Sequence, residues 1–129
     1  MSGKEETAMM EHIIIDTNIV IKGLEGDPKA VKVMDGNFCF ISFITEIELL
    51  SFRGSAAQLN AIKEIISSFI IHPYSGKIQE RVIKIRKSLS IKIPDAFIAA
   101  AAIDLKMPLF SNDIIFKSIN ALQFIHVEF

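Results

Sequence analysis

The chain has 129 residues, enough to bury a sizeable core in one domain and too few for two. Half of the residues are hydrophobic and mean hydropathy is +0.40, yet the longest unbroken apolar run, Ala96 to Ile103, falls far short of the ~20 residues that a membrane helix needs. The formal net charge of −1, from 14 basic and 15 acidic residues, excludes a uniformly basic nucleic-acid coat but leaves room for a local basic patch.

The first nine residues, MSGKEETAM, are polar and lack an apolar signal segment, so residues 1–9 are expected to be a disordered leader or a remnant of cloning. Residues 10–129 then form a single domain. His12-Ile13-Ile14-Ile15 is β-branched and reads as a buried strand. Thr17 or Asn18 can cap the short helix that follows, which ends near Gly23. Asp27-Pro28 is a cap followed by proline at the first helical position, and Gly36 ends that helix. Phe38-Cys39-Phe40-Ile41 is a second strand. Ser42 to Phe52 reads as a helix closed by Gly54. From Ser55 to Ser68, Leu59, Ile62, Ile66 and Phe69 share one helical face. Phe69 to His72 is a third strand, stopped by Pro73.

Ser75 to Ser90 is a helix whose stripe is Ile78, Val82, Ile85 and Leu89. Pro94 opens another helix that runs to Lys106, with alanines from Ala99 to Ala102 small enough for close packing. Leu109-Phe110 is a short strand, Ile114 to Ile119 a short helix and Gln123 to Val127 a last strand. Strands separated by helices imply an α/β fold: a three-layer α/β/α sandwich around a mostly parallel sheet of four or five strands. In such sheets the functional crevice lies beyond the carboxyl ends of the strands.

Four acids fall in that region. Asp16 follows the first strand, Glu48 lies in the helix after the second, Asp95 sits in the first turn of a helix and Asp113 follows the fourth strand. Each has a plain structural reading. Asp16 and Asp113 suit turns or caps, Glu48 lies three residues after Thr45 as in a capping box, and Asp95 is favoured by the helix dipole. Together they read differently. Carboxylates ~4 Å apart repel by about 4 kcal/mol per pair at an effective dielectric of 20. The nearest cations in sequence are Lys22, Arg53 and Lys92. Clustered hard oxygen ligands without paired cations suit Mg²⁺ or Mn²⁺, which activate water and stabilise charge on phosphoryl groups.

The run IIIDTNIVI, the run ISFITEIELLSFRG with its pattern Ser-x-x-Thr-x-x-Glu-Leu, the run IPDAFIAAAAI and the run LFSNDIIF stand in an order and spacing that resemble the PIN-domain ribonucleases, most closely the stand-alone VapC-type toxins. The resemblance spans about Ile13 to Val127. It implies that Asp16, Glu48, Asp95 and Asp113 are the catalytic metal ligands, holding one or two Mg²⁺ or Mn²⁺ ions. Asn18 would hold the Asp16 carboxylate, and Ser111 (where relatives usually carry Thr) or Thr17 would orient a water or ligand. A second acid common in the fourth motif is replaced here by Ile115. The implied function is endoribonucleolytic hydrolysis of RNA by a metal-activated water, as the toxin of a type II toxin–antitoxin pair. The implied partners are a separately encoded antitoxin and a second copy in a homodimer. The alternative is a catalytically idle PIN module used for binding or assembly. A dehalogenase-like phosphatase would need a second Asp where Asn18 stands, and a response-regulator receiver an Asp where His72-Pro73-Tyr74 stands.

Between residues 77 and 92, Lys77, Arg81, Lys84, Arg86, Lys87 and Lys92 oppose one acid, Glu80. This is either a solvated helix face or a phosphate-contacting stripe leading to Asp95, with Lys77, Arg81, Lys84 and Lys92 as the RNA-contact candidates. His12, His72 and His126 lack zinc-site spacing and read as core or edge residues. Cys39 reads as a small buried hydrophobe; as the only cysteine it allows no internal disulfide and suggests a reducing, cytoplasmic setting. The alanine-rich helix with Leu49, Leu50 and Phe52 is a candidate homodimer face or antitoxin groove.

Overall fold

In the computed structural model, residues 10–129 are described; the leader expected at residues 1–9 lies outside them. Three isoleucines in β1 (His12–Ile15) organise the centre. Ile14 packs in the cluster on one face of the sheet, and Ile13 and Ile15 in the cluster on the other, because side chains alternate along a strand. Burying each contributes roughly 2 kcal/mol, and a strand buried on both faces requires helices on both.

β1 pairs in parallel with β2 (Phe38–Ser42) on one side and β4 (Leu109–Ser111) on the other. β3 (Ile70–His72) and β5 (Phe124–His126) extend the two edges, also in parallel. The order β3-β2-β1-β4-β5 makes one five-stranded parallel sheet, as expected from strands separated by helices. One face carries α5 (Gly76–Ser88), α6 (Ile93–Leu105) and Phe116 of a 3-10 turn, Ile114–Ser118. The other carries α1 (Thr17–Leu24), α2 (Pro28–Asp35), α4 (Ala56–Ser67) and Leu49 of α3 (Phe43–Leu50).

Local signals start most of these helices where the sequence places them. Asp27 accepts from the backbone N–H groups of Lys29 and Ala30 ahead of Pro28, and Ser55 forms a reciprocal capping box with Gln58. Three expectations need correction. Asp16, as its turn-or-cap reading allowed, and not Thr17 or Asn18, caps α1: it is the single extended residue between β1 and the helix, and its side chain accepts from the Thr17 N–H. α3 ends at Leu50 with Ser51 as its cap, well before Gly54: the Phe52 N–H turns to the Leu49 carbonyl three residues back at 3.3 Å, so regular α-helical bonding stops there. The alanine-rich helix is not an open face. Ala96 and Ala99 to Ala102 are all buried, because small side chains let α6 sit directly against the sheet.

Candidate active site

β1 and β4 are neighbours at the centre of the sheet, and the chain leaves them toward opposite sides. Their carboxyl ends therefore form a crevice at the point where strand order reverses. Ile15 lies opposite Phe110, which brings the next residues, Asp16 and Ser111, side by side. The Ser111 hydroxyl donates to Asp16 Oδ2 at 2.7 Å. Asn18 Nδ2 donates to the same oxygen at 3.2 Å, and the Thr17 N–H donates to Oδ1 at 2.7 Å. Ser111 Oγ also accepts from the Asp113 N–H at 3.0 Å, and Asn18 Oδ1 from the Asn112 N–H at 3.2 Å. Asn18 and Ser111 thus hold Asp16 and shape the loop that carries Asp113.

Glu48 reaches this end of the sheet from α3, where it accepts from the Thr17 hydroxyl at 2.5 Å. Its capping-box reading is corrected: Ser42 is the N-cap of α3, and Thr45 lies inside the helix, fully buried, sharing a 3.0 Å hydrogen bond with Thr17. Asp95 occupies the first turn of α6. Asp113 caps the 3-10 turn through Ile115 N–H, so its structural reading holds beside the functional one.

The carboxylates feel one another. Burial pushes the Asp16 carboxyl up to about 6; the Ser111 and Thr17 hydrogen bonds oppose this, and the charges of Asp95 and Glu48 add to it. Asp95 is also raised, first by burial, then by Asp113 and Glu48, with Lys92 opposing. Among the described residues, no three acidic, histidine or cysteine side chains are already gathered around a point where an ion would sit. The donor chemistry nevertheless fits a hard divalent cation, because four coupled carboxylates share one sheet end with a single cation, Lys92, acting on them.

An open groove of about 680 Å³ runs from Asp95 and Asp113 to Arg86, Ser90 and Lys92. The basic run divides along α5. Lys77 pairs with Asp104 at 3.4 Å, where Asp104 also meets His72 at 2.9 Å, and these contacts hold the Asp104 carboxyl below its usual range. Since α5 and α6 pack as an antiparallel hairpin, Lys77 lies roughly 14 Å along α5 from Arg86, away from the acids. Arg81 is half-buried and Lys84 exposed, and neither lines the groove. Arg86 does, with Nε donating to the Ile91 carbonyl at 3.0 Å. The candidate set drawn from the sequence omitted it, although its place in the last turn before the loop to Asp95 was a usable signal. Cys39 is buried as expected, and His72 and His126 lie on edge strands.

The PIN domain family model matches residues 13–122, and the chain belongs to that family. It is similar to a chain of a toxin–antitoxin complex from Klebsiella pneumoniae, with 27% identity and a TM-score of 0.77, covering 85% of this chain and 94% of that one. It is also similar to a chain of VapBC2 from Rickettsia felis bound to a DNA fragment from their promoter, with 26% identity, a TM-score of 0.76 and coverage of 92% and 100%. A chain of DNA-bound VapBC from Salmonella typhimurium shares the fold at a TM-score of 0.78, with 20% identity and coverage of 92% and 98%. No curated protein gives a significant match.

Proposed function

We propose that the chain is a metal-dependent endoribonuclease of the VapC type and the toxin of a toxin–antitoxin pair. The observation that carries this reading is Asp16: a buried acid at the switch point, held by Asn18 and Ser111 and electrostatically coupled to Glu48 and Asp95. Asp16, Glu48, Asp95 and Asp113 are the ligands in this reading. When bound, Mg²⁺ or Mn²⁺ lowers the pKa of a water and neutralises charge on the phosphate. Asn18 and Ser111 fix the Asp16 carboxylate so that its orientation costs little on binding. Thr17 does the same for Glu48. Arg86 and Lys92 draw the RNA backbone into the groove beside Asp95.

The likeness to chains solved in toxin–antitoxin complexes supports a separately encoded antitoxin as partner. Exposed Ile21, Leu24 and Phe52, with the largely buried Leu49 at its floor, line a groove of about 310 Å³ beside Glu48, which suits an apolar protein segment; Leu50 is exposed on α3 but does not line it. A homodimer remains part of the proposal. No described helix is long and apolar enough to cross a membrane, and free Cys39 fits a reducing cytoplasm.

The test is cleavage of RNA by the purified chain with Mn²⁺, repeated with Asp95→Ala. Loss of cleavage in the variant is the expected result, and equal cleavage removes the site. Sequencing of RNA ends after controlled expression would name the target.

A further inference from the structure

One cluster of cations is used neither by the acid set nor by α5. Lys29 and Lys32 on α2, with His126, Val127 and Glu128 at the end of β5, line an open groove of about 460 Å³. Both lysines are exposed, and among the described residues neither pairs with a carboxylate. The groove is tied to the active-site loop. His126 Nε2 lies 3.0 Å from the Asn112 carbonyl, Asn112 Nδ2 donates to the Val127 carbonyl at 2.8 Å, and the Val127 N–H donates to the Ser111 carbonyl at 2.9 Å. These bonds fasten the groove wall to the two residues that precede Asp113.

The two cation sets lie on opposite faces of the sheet. Arg86 and Lys92 belong to the α5–α6 layer, whereas α2 packs in the other layer through Ala30 and Val33. Both meet the segment Ser111 to Asp113 at the end of β4. We propose that single-stranded RNA crosses the end of the sheet from one layer to the other, with Lys29 and Lys32 binding its phosphates beyond the acids from Arg86 and Lys92. The proposal rests on the nuclease reading above. Lysine suits the role, since holding a strand without reading its sequence needs only point charges on phosphates. Glu128 opposes the lysines and leaves the groove with a modest positive balance. With no aromatic ring but His126 in the lining, base stacking contributes little there.

The experiment compares the full chain with Lys29→Gln/Lys32→Gln, using fluorescently labelled single-stranded RNA in chelator over a range of salt. Each lost phosphate contact lowers the slope of log K against log salt by about 0.7, so the double variant should be shallower by about 1.4. In cleavage assays KM should rise more on long RNA than on an oligonucleotide that fills only the Arg86–Lys92 side. Glu128→Gln should tighten binding. An unchanged slope and unchanged KM in the double variant, with salt-dependent binding by the wild type, overturn this path and leave the nuclease reading standing. A wild type that neither binds nor cuts RNA overturns both. Far-UV circular dichroism checks that the variants fold, which the exposure of all three side chains leads us to expect.

Discussion

The Ser111 hydroxyl meets the Asp16 carboxylate at 2.7 Å across 95 positions of sequence, and this one contact joins the ends of the two central strands. The same hydroxyl accepts the Asp113 N–H, so a single buried side chain serves two acids. Ser111→Ala leaves that N–H without its acceptor and takes a donor from Asp16. It should cost about 1–3 kcal/mol in urea denaturation and raise the Asp16 pKa further, since the lost bond is one that lowers it.

Asp16 makes stability depend on pH in a stated direction. Its carboxyl titrates near 6 in the fold and near 3.8 unfolded, so the folded state binds the extra proton between those values. The stabilising effect of that proton is fully present below the unfolded value and is lost as pH rises through about 6. Between about pH 5 and pH 7 it amounts to about 1 kcal/mol. In chelator, denaturation midpoints should therefore favour the lower pH in the wild type, and Asp16→Asn should largely erase the difference that Asp16 makes.

Divalent ions compete with that proton, because a carboxylate must be deprotonated to ligate. Millimolar Mn²⁺ or Mg²⁺ should raise the melting temperature at neutral pH by linkage, and the rise should fade as pH falls below about 6. Asp16→Asn should lose most of it. A melting curve unmoved by metal at neutral pH would favour the idle binding module over the nuclease.

Lys92 and Lys77 separate the two readings of the basic run. Lys92 lines the groove at Asp95, whereas Lys77 is engaged with Asp104 at the far end of the hairpin. Lys92→Gln should reduce the salt slope of single-stranded RNA binding by about 0.7, and Lys77→Gln should leave it unchanged. Equal effects would return Lys77 to the RNA surface.

Ala100 is fully buried in α6, where the helix sits against the sheet. Ala100→Leu should destabilise by about 1–3 kcal/mol through overpacking. Leu50→Ala, on the exposed side of α3, should change stability by less than about 0.5 kcal/mol. Thermal or urea unfolding checks both.

Much of this protein is legible before folding. The isoleucine run of β1, the caps at Asp27 and Ser55 and the stripes of α4 and α5 are local patterns, and a strand–helix alternation leaves few topologies other than a parallel sheet. The four acids could be named from their motifs because each lies within a few residues of a strand end or helix start. Spacing along the chain could not say which hydroxyl and amide would hold Asp16, that Thr45 would bond Thr17 instead of capping a helix, or that the basic run would split with Arg86 at the acids and Lys77 away from them. Those outcomes depend on strand register and on the antiparallel packing of α5 against α6, which set distances between residues far apart in sequence. The composition likewise resolves only in three dimensions: Ala96 and Ala99 to Ala102 lie buried against the sheet with the isoleucines of β1, whereas Ile21, Leu24 and Phe52 stay exposed around one groove beside Glu48.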